Sequence, residues 1–244
     1  LAACSSDQKL REPVPAPKVS ADSKQDLDKS WSRRLDATDD HPSGVFMPVI
    51  DGPNVYAAAS DGEIASFLAA DGDENWQMDL DEPLNSGVGF GPAGLAVSTR
   101  SGAVILLSTS GEQRWRTELG HEILQPPLVT TNMVIVQSSS GSVIALNKSG
   151  EILWRYQHTS LPLTLRGTNR PVVYRDRVLV GFASGHLVAL KTTTGDLLWD
   201  RKIQIARGTN EFERLIDLNA PMTLRDNVVY VPGYQGFLTA VEAF

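Results

Sequence analysis

The chain has 244 residues, of which 41% are hydrophobic, so it can bury a core and is not disordered throughout. Its 22 basic and 29 acidic side chains give a net charge of −7, which excludes an overall basic footprint and speaks against nucleic acid as a partner. The chain has a single cysteine, so an internal disulfide is excluded, and the spacing of its cysteine and histidines matches no zinc motif.

The first residues place this cysteine after a leucine and two alanines, in the order Leu1-Ala2-Ala3-Cys4. The pattern resembles a bacterial lipobox, in which the signal peptide is removed before the cysteine and the thiol is acylated. The resemblance implies that Cys4 is lipidated, that an apolar signal segment precedes Leu1 in the precursor, and that the protein lies at the periplasmic face of the outer membrane. Two or three acyl chains anchor a protein stably to a bilayer. The alternative is a chance tetrapeptide.

Residues 1–29 are expected to form this anchor and a flexible tether. From Ser5 to Lys29 the composition is dominated by Ser, Asp, Lys, Gln and Pro, with too few apolar residues to fold alone. A flexible stretch of this length spans about 25–30 Å. The sequence has no apolar run long enough for a membrane-spanning helix, so we expect any membrane link to be the anchor and residues 30–244 to form the folded domain.

A repeated pattern occupies most of that domain. Each unit has a Ser-Gly or Asp-Gly pair, an apolar run such as Val143-Ile144-Ala145-Leu146, a second glycine and a tryptophan. The first glycine and the tryptophan of the complete units are Gly62 and Trp76, Gly102 and Trp115, Gly141 and Trp154, and Gly185 and Trp199. A fifth unit begins at Gly236. Internal repetition at this spacing predicts a repeat architecture.

Each unit is typical of four antiparallel strands. The Ser-Gly or Asp-Gly pair between two apolar runs predicts a hairpin turn, and the second glycine predicts the next turn. The central strands are apolar on both faces, which indicates that every sheet is covered on both sides. The sequence therefore predicts an all-β fold, a β-propeller of four-stranded antiparallel blades with five repeats visible. We expect the tryptophans to pack between neighbouring blades rather than to bind a cofactor.

The two ends of the domain suggest how a ring could close. Residues 30–35 are similar to a tryptophan-bearing outer strand without the strands before it, whereas the fifth unit lacks its own tryptophan strand. The two half-blades could complement each other and remove exposed strand edges. This interpretation predicts a ring of five blades.

A family resemblance adds to this reading. The motif Ala-Leu, then Gly-Glu or Gly-Asp, then Trp is similar to the repeat of propellers related to pyrroloquinoline-quinone enzymes. With the lipobox and the tether, the chain resembles the BamB-type lipoproteins of the outer-membrane β-barrel assembly machinery, and residues 161–167 and 208–217 are each similar to a loop of that family. Members have eight blades, which implies that the chain is truncated from an eight-bladed propeller. A true five-bladed ring is the alternative.

Two long connections locate a candidate binding site without the resemblance. The connections after Trp154 and Trp199 are longer than the two before them, and insertions in consecutive repeats lie side by side on one face of a propeller. Leu163 and Leu165 in these connections are accompanied by charged residues, a combination that suits a protein partner. The charged residues are Arg166, Arg170, Arg207, Glu211, Glu213, Arg214 and Asp217.

The resemblance implies roles for four of these residues and for Asn219. Leu163, Leu165 and Arg166 would contact a POTRA domain of BamA, and Asp217 would be the first of two acidic contact residues. Asn219 occupies the second acidic position, so one charge of the family pair is missing. The alternative is an ordinary strand face for the two leucines and a solvated ion pair for Arg166 and Asp217, worth under about 1 kcal/mol.

The sequence favours a binding protein over an enzyme. Quinoprotein dehydrogenases share the repeat, but they resemble one another in adjacent cysteines and calcium-binding acidic residues, and one cysteine in a tether cannot supply the former. No catalytic motif is recognisable, and His41, His121, His158 and His186 are scattered. We therefore expect no cofactor and no metal. The predicted function is a non-enzymatic scaffold that aids assembly of outer-membrane proteins and also guides unfolded ones; a dehydrogenase, or a propeller that senses another periplasmic ligand, is the alternative.

Overall fold

The computed structural model describes residues 28–35, 44–159, 169–205, 218, 220–233 and 238–244. The chain divides into two units, Leu1–Ser32 and Arg33–Phe244. Of the first unit, residues 28–32 are described, and they contain no strand. Within the described ranges no helix is long and apolar enough to cross a membrane. The assignment of residues 1–29 to a tether stays a prediction.

The described part of the second unit forms five antiparallel sheets. Sheet 1 contains β1 (Val49–Asp51), β2 (Asn54–Ala58), β3 (Glu63–Leu68) and β4 (Glu74–Asp79), and sheet 2 contains β5 (Gly89–Gly91), β6 (Gly94–Ser98), β7 (Ala103–Leu107) and β8 (Gln113–Glu118). Sheet 3 contains β9 (Leu128–Val129), β10 (Met133–Gln137), β11 (Ser142–Asn147) and β12 (Ile152–Gln157). Sheet 4 contains β13 (Val172–Tyr174), β14 (Arg177–Gly181), β15 (His186–Lys191) and β16 (Leu197–Lys202), and sheet 5 contains β17 (Thr223–Arg225), β18 (Val228–Pro232) and β19 (Leu238–Glu242).

Each sheet is a meander in which strands follow one another in chain order. In sheet 3, for example, Ile135 lies opposite Ala145 and Ala145 lies opposite Trp154. The turn between the second and third strands uses Gly141 at a φ of +84°, a conformation that glycine adopts without steric cost. The predicted all-β propeller of repeated antiparallel blades is therefore confirmed.

The described residues form four core clusters, each between two consecutive sheets. One side chain from each illustrates them: Tyr56 between sheets 1 and 2, Val134 between sheets 2 and 3, Val180 between sheets 3 and 4, and Val229 between sheets 4 and 5. Every residue of β6, β7 and β10 is buried. The central strands are thus covered on both faces, as their composition predicts.

The tryptophans join neighbouring sheets by packing over a glycine. A methyl group at Gly111 would lie 3.0 Å from the ring of Trp76, one at Gly150 would lie 2.9 Å from the ring of Trp115, and one at Gly195 would lie 2.6 Å from the ring of Trp154. All three glycines also have positive φ values. The prediction that tryptophans pack between blades is confirmed for these three.

The closure of a five-bladed ring stays a prediction. Sheet 5 has three strands in the described part of the chain, and residues 33–35 are described without strand structure. Arg33 donates from Nε to the carbonyl oxygen of Gly72, at 2.6 Å, and its guanidinium lies 3.6 Å from the carboxylate of Asp73. These contacts hold Arg33 at a turn of sheet 1.

Candidate functional site

One end of sheets 1–4 carries the turns between second and third strands together with the ends of the fourth strands; we call it the turn face. At each sheet, the backbone N–H of a residue just after the fourth strand donates to the carbonyl oxygen of the turn glycine. These bonds run from Leu80 to Gly62, from Leu119 to Gly102, from His158 to Gly141 and from Ile203 to Gly185, at 2.9–3.2 Å. The repeat therefore fixes where every connection to the next sheet begins.

Both long connections leave from the turn face. The first begins at His158, directly after β12, and the second begins at Ile203, directly after β16; the N–H groups of these two residues bond the turn glycines Gly141 and Gly185. Because sheets 3 and 4 are neighbours in the fold, the two connections start side by side. Their starting points agree with the predicted location of a binding surface.

The predicted contact residues lie outside the described residues. This applies to Leu163, Leu165, Arg166, Asp217 and Asn219, and also to the predicted lipidation site Cys4. The roles assigned to them by sequence stay predictions. What the structure provides is the geometry of the segments on either side of them.

The far ends of both connections are anchored in the interior. Asn169 is 1% exposed and Leu218 is also 1% exposed, the latter within the core between sheets 4 and 5. Burial lowers the pKa of Arg170 below its ordinary value, and its Nη2 lies 3.5 Å from the carbonyl oxygen of Pro127. Leu218 lies between Asp217 and Asn219 in sequence, and these two residues themselves lie outside the described part of the chain.

An exposed apolar side chain marks the start of the second connection. Ile205 is 68% exposed, whereas Ile203 belongs to the periphery of the core between sheets 4 and 5. A lone exposed isoleucine is common on protein surfaces, but here it adds to the apolar contribution expected from Leu163 and Leu165. The surface at the start of the two connections can therefore take part in a mixed apolar and charged interface.

The turn face also holds a cluster that the sequence did not indicate. His186 Nδ1 lies 2.6 Å from Asp200 Oδ1, and His158 Nε2 lies 3.6 Å from Asp200 Oδ2. One potential ligand atom from each side chain lies within 4.8 Å of the others, so the three can hold a metal ion. His158 directly follows β12, His186 begins β15 and Asp200 lies in the middle of β16, and no local spacing motif links them.

Comparisons with known proteins agree with this architecture. The model of the family described as outer membrane protein assembly factor BamB matches residues 60–244. Outer membrane protein assembly factor BamB of Pseudomonas aeruginosa is 45% identical over 243 residues, which cover 98% of this chain and 63% of the relative. The crystal structure of BamB from Moraxella catarrhalis matches with a TM-score of 0.74 at 28% identity, covering 83% of this chain and 61% of that one.

A likeness to an enzyme is confined to the fold. A quinohemoprotein alcohol dehydrogenase from Pseudomonas putida matches with a TM-score of 0.64, at 14% identity over 83% of this chain and 41% of the enzyme. The chain spans about three fifths of the length of the first curated relatives that it matches. From its repeats, its sheets and these matches, the chain belongs to the family of the outer membrane protein assembly factor BamB.

Proposed function

We propose that the chain is a non-enzymatic scaffold in outer-membrane protein assembly, which binds a POTRA domain of BamA through its two long connections. The supporting observation is that both connections start side by side on the turn face of sheets 3 and 4. Family membership supports the assembly role. The contact residues are Leu163, Leu165, Arg166, Asp217 and Asn219.

The chemistry of these residues suits a small protein interface. Two leucines supply apolar area that loses water on binding, and the adjacent Arg166 can pair with a carboxylate of the partner. Asp217 and Asn219 flank the buried Leu218 in sequence, and an asparagine still offers one acceptor and two donors. Segments that are anchored before binding lose less conformational entropy when a partner docks, so the buried residues at the far ends of the connections favour affinity.

The proposal also includes a lipid anchor and the binding of unfolded outer-membrane proteins. A lipidated Cys4 would tether the protein to the outer membrane, at the periplasmic face, through the predicted tether. A scaffold at this position could also guide unfolded outer-membrane proteins towards its partner. The alternative functions are a quinoprotein-like dehydrogenase and a sensor of another periplasmic ligand.

A binding measurement with purified POTRA domains tests the interface. Replacing Leu163, Leu165 and Arg166 with alanine should remove at least about 2 kcal/mol of binding free energy, which is a loss of about 30-fold in affinity. The matched control replaces Lys148, Ile152 and Leu153, an exposed set of one basic and two aliphatic side chains at β12 and the turn before it. Surface plasmon resonance should show unchanged binding for this control.

Two results would count against the proposal. Equal affinity of the wild type and the Leu163, Leu165 and Arg166 variant, both with native circular dichroism, would exclude these residues as the interface. Quinone-dependent reduction of a dye by the wild type would favour the dehydrogenase alternative.

A further inference from the structure

The corner of the turn face between sheets 3 and 4 brings together two imidazoles and a carboxylate. The His158 side chain is only 11% exposed, and those of His186 and Asp200 are 28% and 32% exposed. The ring centroids of the two histidines lie 5.3 Å apart. The group is therefore partly shielded from water but still open to a small ion.

The repeat shows that the fold does not require these residues. His158 occupies the position whose N–H bonds the turn glycine, and the equivalent residues of the other sheets are Leu80, Leu119 and Ile203. Asp200 lies opposite Val188 in the register, and its equivalents are Gln77, Arg116 and Arg155. His158, directly after sheet 3, thus stands where sheets 1, 2 and 4 have an aliphatic residue. It lies next to sheet 4, in which Asp200 stands where sheets 1–3 have an amide or a guanidinium side chain.

A third position changes in the same way. His186 is the first residue of its strand, and its equivalents are Glu63, Ala103 and Ser142. Phe182, against which His158 stacks with ring centroids 4.3 Å apart, is equivalent to Ala59, Thr99 and Ser138. Four departures from the repeat therefore meet at one corner, which indicates that the corner has a role of its own.

The orientation of His158 resembles that of a metal ligand. Its Nδ1 lies 3.1 Å from the carbonyl oxygen of Thr159, while Nε2 points towards Asp200 at 3.6 Å. Histidines that bind metals commonly donate one ring N–H to a backbone carbonyl, which leaves the other nitrogen free to coordinate. The stacking on Phe182 fixes the plane of the ring.

We propose that His158, His186 and Asp200 bind a Zn²⁺ ion. Two imidazole nitrogens and one carboxylate oxygen are a donor set that zinc accepts, with water as the fourth ligand. Ligand atoms about 2.0–2.2 Å from a tetrahedral ion lie roughly 3.3–3.5 Å apart, which is close to the 3.6 Å between His158 Nε2 and Asp200 Oδ2. His186 and Asp200, at hydrogen-bond distance, separate slightly when the ion replaces the shared proton.

The site is independent of the proposed function and is tested by itself. The full 244-residue chain with Cys4→Ser, which removes the lone thiol, is stripped with a chelator and titrated with zinc chloride in a calorimeter. We expect one ion per chain. His158→Leu and His186→Ser each place the residue of an equivalent sheet at the site, so they preserve the fold while lowering zinc affinity at least tenfold.

A histidine variant outside the cluster and a thermal measurement serve as controls. His121→Gln removes a histidine outside the cluster and should leave the affinity unchanged. Zinc should raise the melting temperature of the Cys4→Ser protein and of His121→Gln, but not that of His158→Leu or His186→Ser. The proposal is overturned if the Cys4→Ser protein binds no zinc at millimolar concentration, or if both cluster variants bind it as tightly as Cys4→Ser does.

Discussion

The contact between tryptophan and glycine across neighbouring sheets predicts a specific cost of adding one methyl group. Gly195 has a φ of +73°, and a Cβ built there would lie 2.6 Å from Cδ2 of Trp154. The same ring donates from Nε1 to the carbonyl oxygen of Thr192 at 2.9 Å. The methyl group of Gly195→Ala must therefore displace a ring that is held on both sides.

A second glycine separates the backbone effect from the packing effect. Gly120 has a φ of +67°, and a Cβ there would meet nothing within 4 Å. Both variants hold an alanine in the left-handed conformation, which lowers the free energy of unfolding by about 1–2 kcal/mol. Gly195→Ala adds overpacking of about 1–3 kcal/mol and the weakened tryptophan hydrogen bond of about 1 kcal/mol. We expect it to be less stable than Gly120→Ala by about 2–4 kcal/mol.

Equilibrium unfolding in urea, followed by tryptophan fluorescence, measures this difference. With a slope of about 1–3 kcal/mol/M, the midpoint of Gly195→Ala should lie about 1 M below that of Gly120→Ala. Equal midpoints for the two variants would show that contact with the Trp154 ring contributes nothing beyond backbone strain. In that case the packing of tryptophan over glycine would not explain why the repeat retains both residues.

Two further predictions concern the anchor and the turn face. If Cys4 is acylated, metabolic labelling with palmitate in a bacterial host that expresses the complete precursor should label the wild type and not Cys4→Ser; labelling of the variant would contradict the lipobox reading. Burial, and then the negative charge of Asp200, raise the pKa of Tyr156. Because the unfolded chain ionises first, stability falls as the pH rises above about 10. Asp200→Asn should lower the pKa of Tyr156 in an ultraviolet titration referenced to Tyr156→Phe, and an unchanged value would show that the carboxylate has no effect on it.

The fold was predictable because its determinants are local and repeated. A turn glycine such as Gly141 and a β-branched strand such as Met133–Gln137 specify a hairpin within a few residues. The two-sided burial of that strand follows from its composition. Closure of the ring was not predictable in this way, because it depends on pairing between distant segments. The contact of Arg33 with the carbonyl group of Gly72 follows the repeat, since Thr117, which also lies two residues after a tryptophan, donates to the carbonyl oxygen of Gly150.

The candidate site was predictable only in part. The lengths of the two connections indicated their shared face, because the repeat determines where each fourth strand ends. The cluster of His158, His186 and Asp200 was hidden, since the three residues belong to different segments and only the register of sheet 4 and its packing on sheet 3 bring them together. The expectation of no metal rests on linear spacing, which does not detect ligands assembled by tertiary structure, and it is tested by the same zinc titration as the proposed site.

The corner that holds His158 also lies where the connections of the repeat become longer. His158 is the residue that replaces an aliphatic side chain, and it is also the residue at which the first long connection begins. Its ring is held by Phe182 and Asp200 of sheet 4, so the connection starts from a point fixed to the sheet that carries the second one. A binding segment that starts from a fixed point has fewer conformations to lose when its partner docks. The polar corner therefore has a physical reason to occur where the connections lengthen. Between sheets 1 and 2 and between sheets 2 and 3, aliphatic residues such as Leu119 occupy the equivalent position.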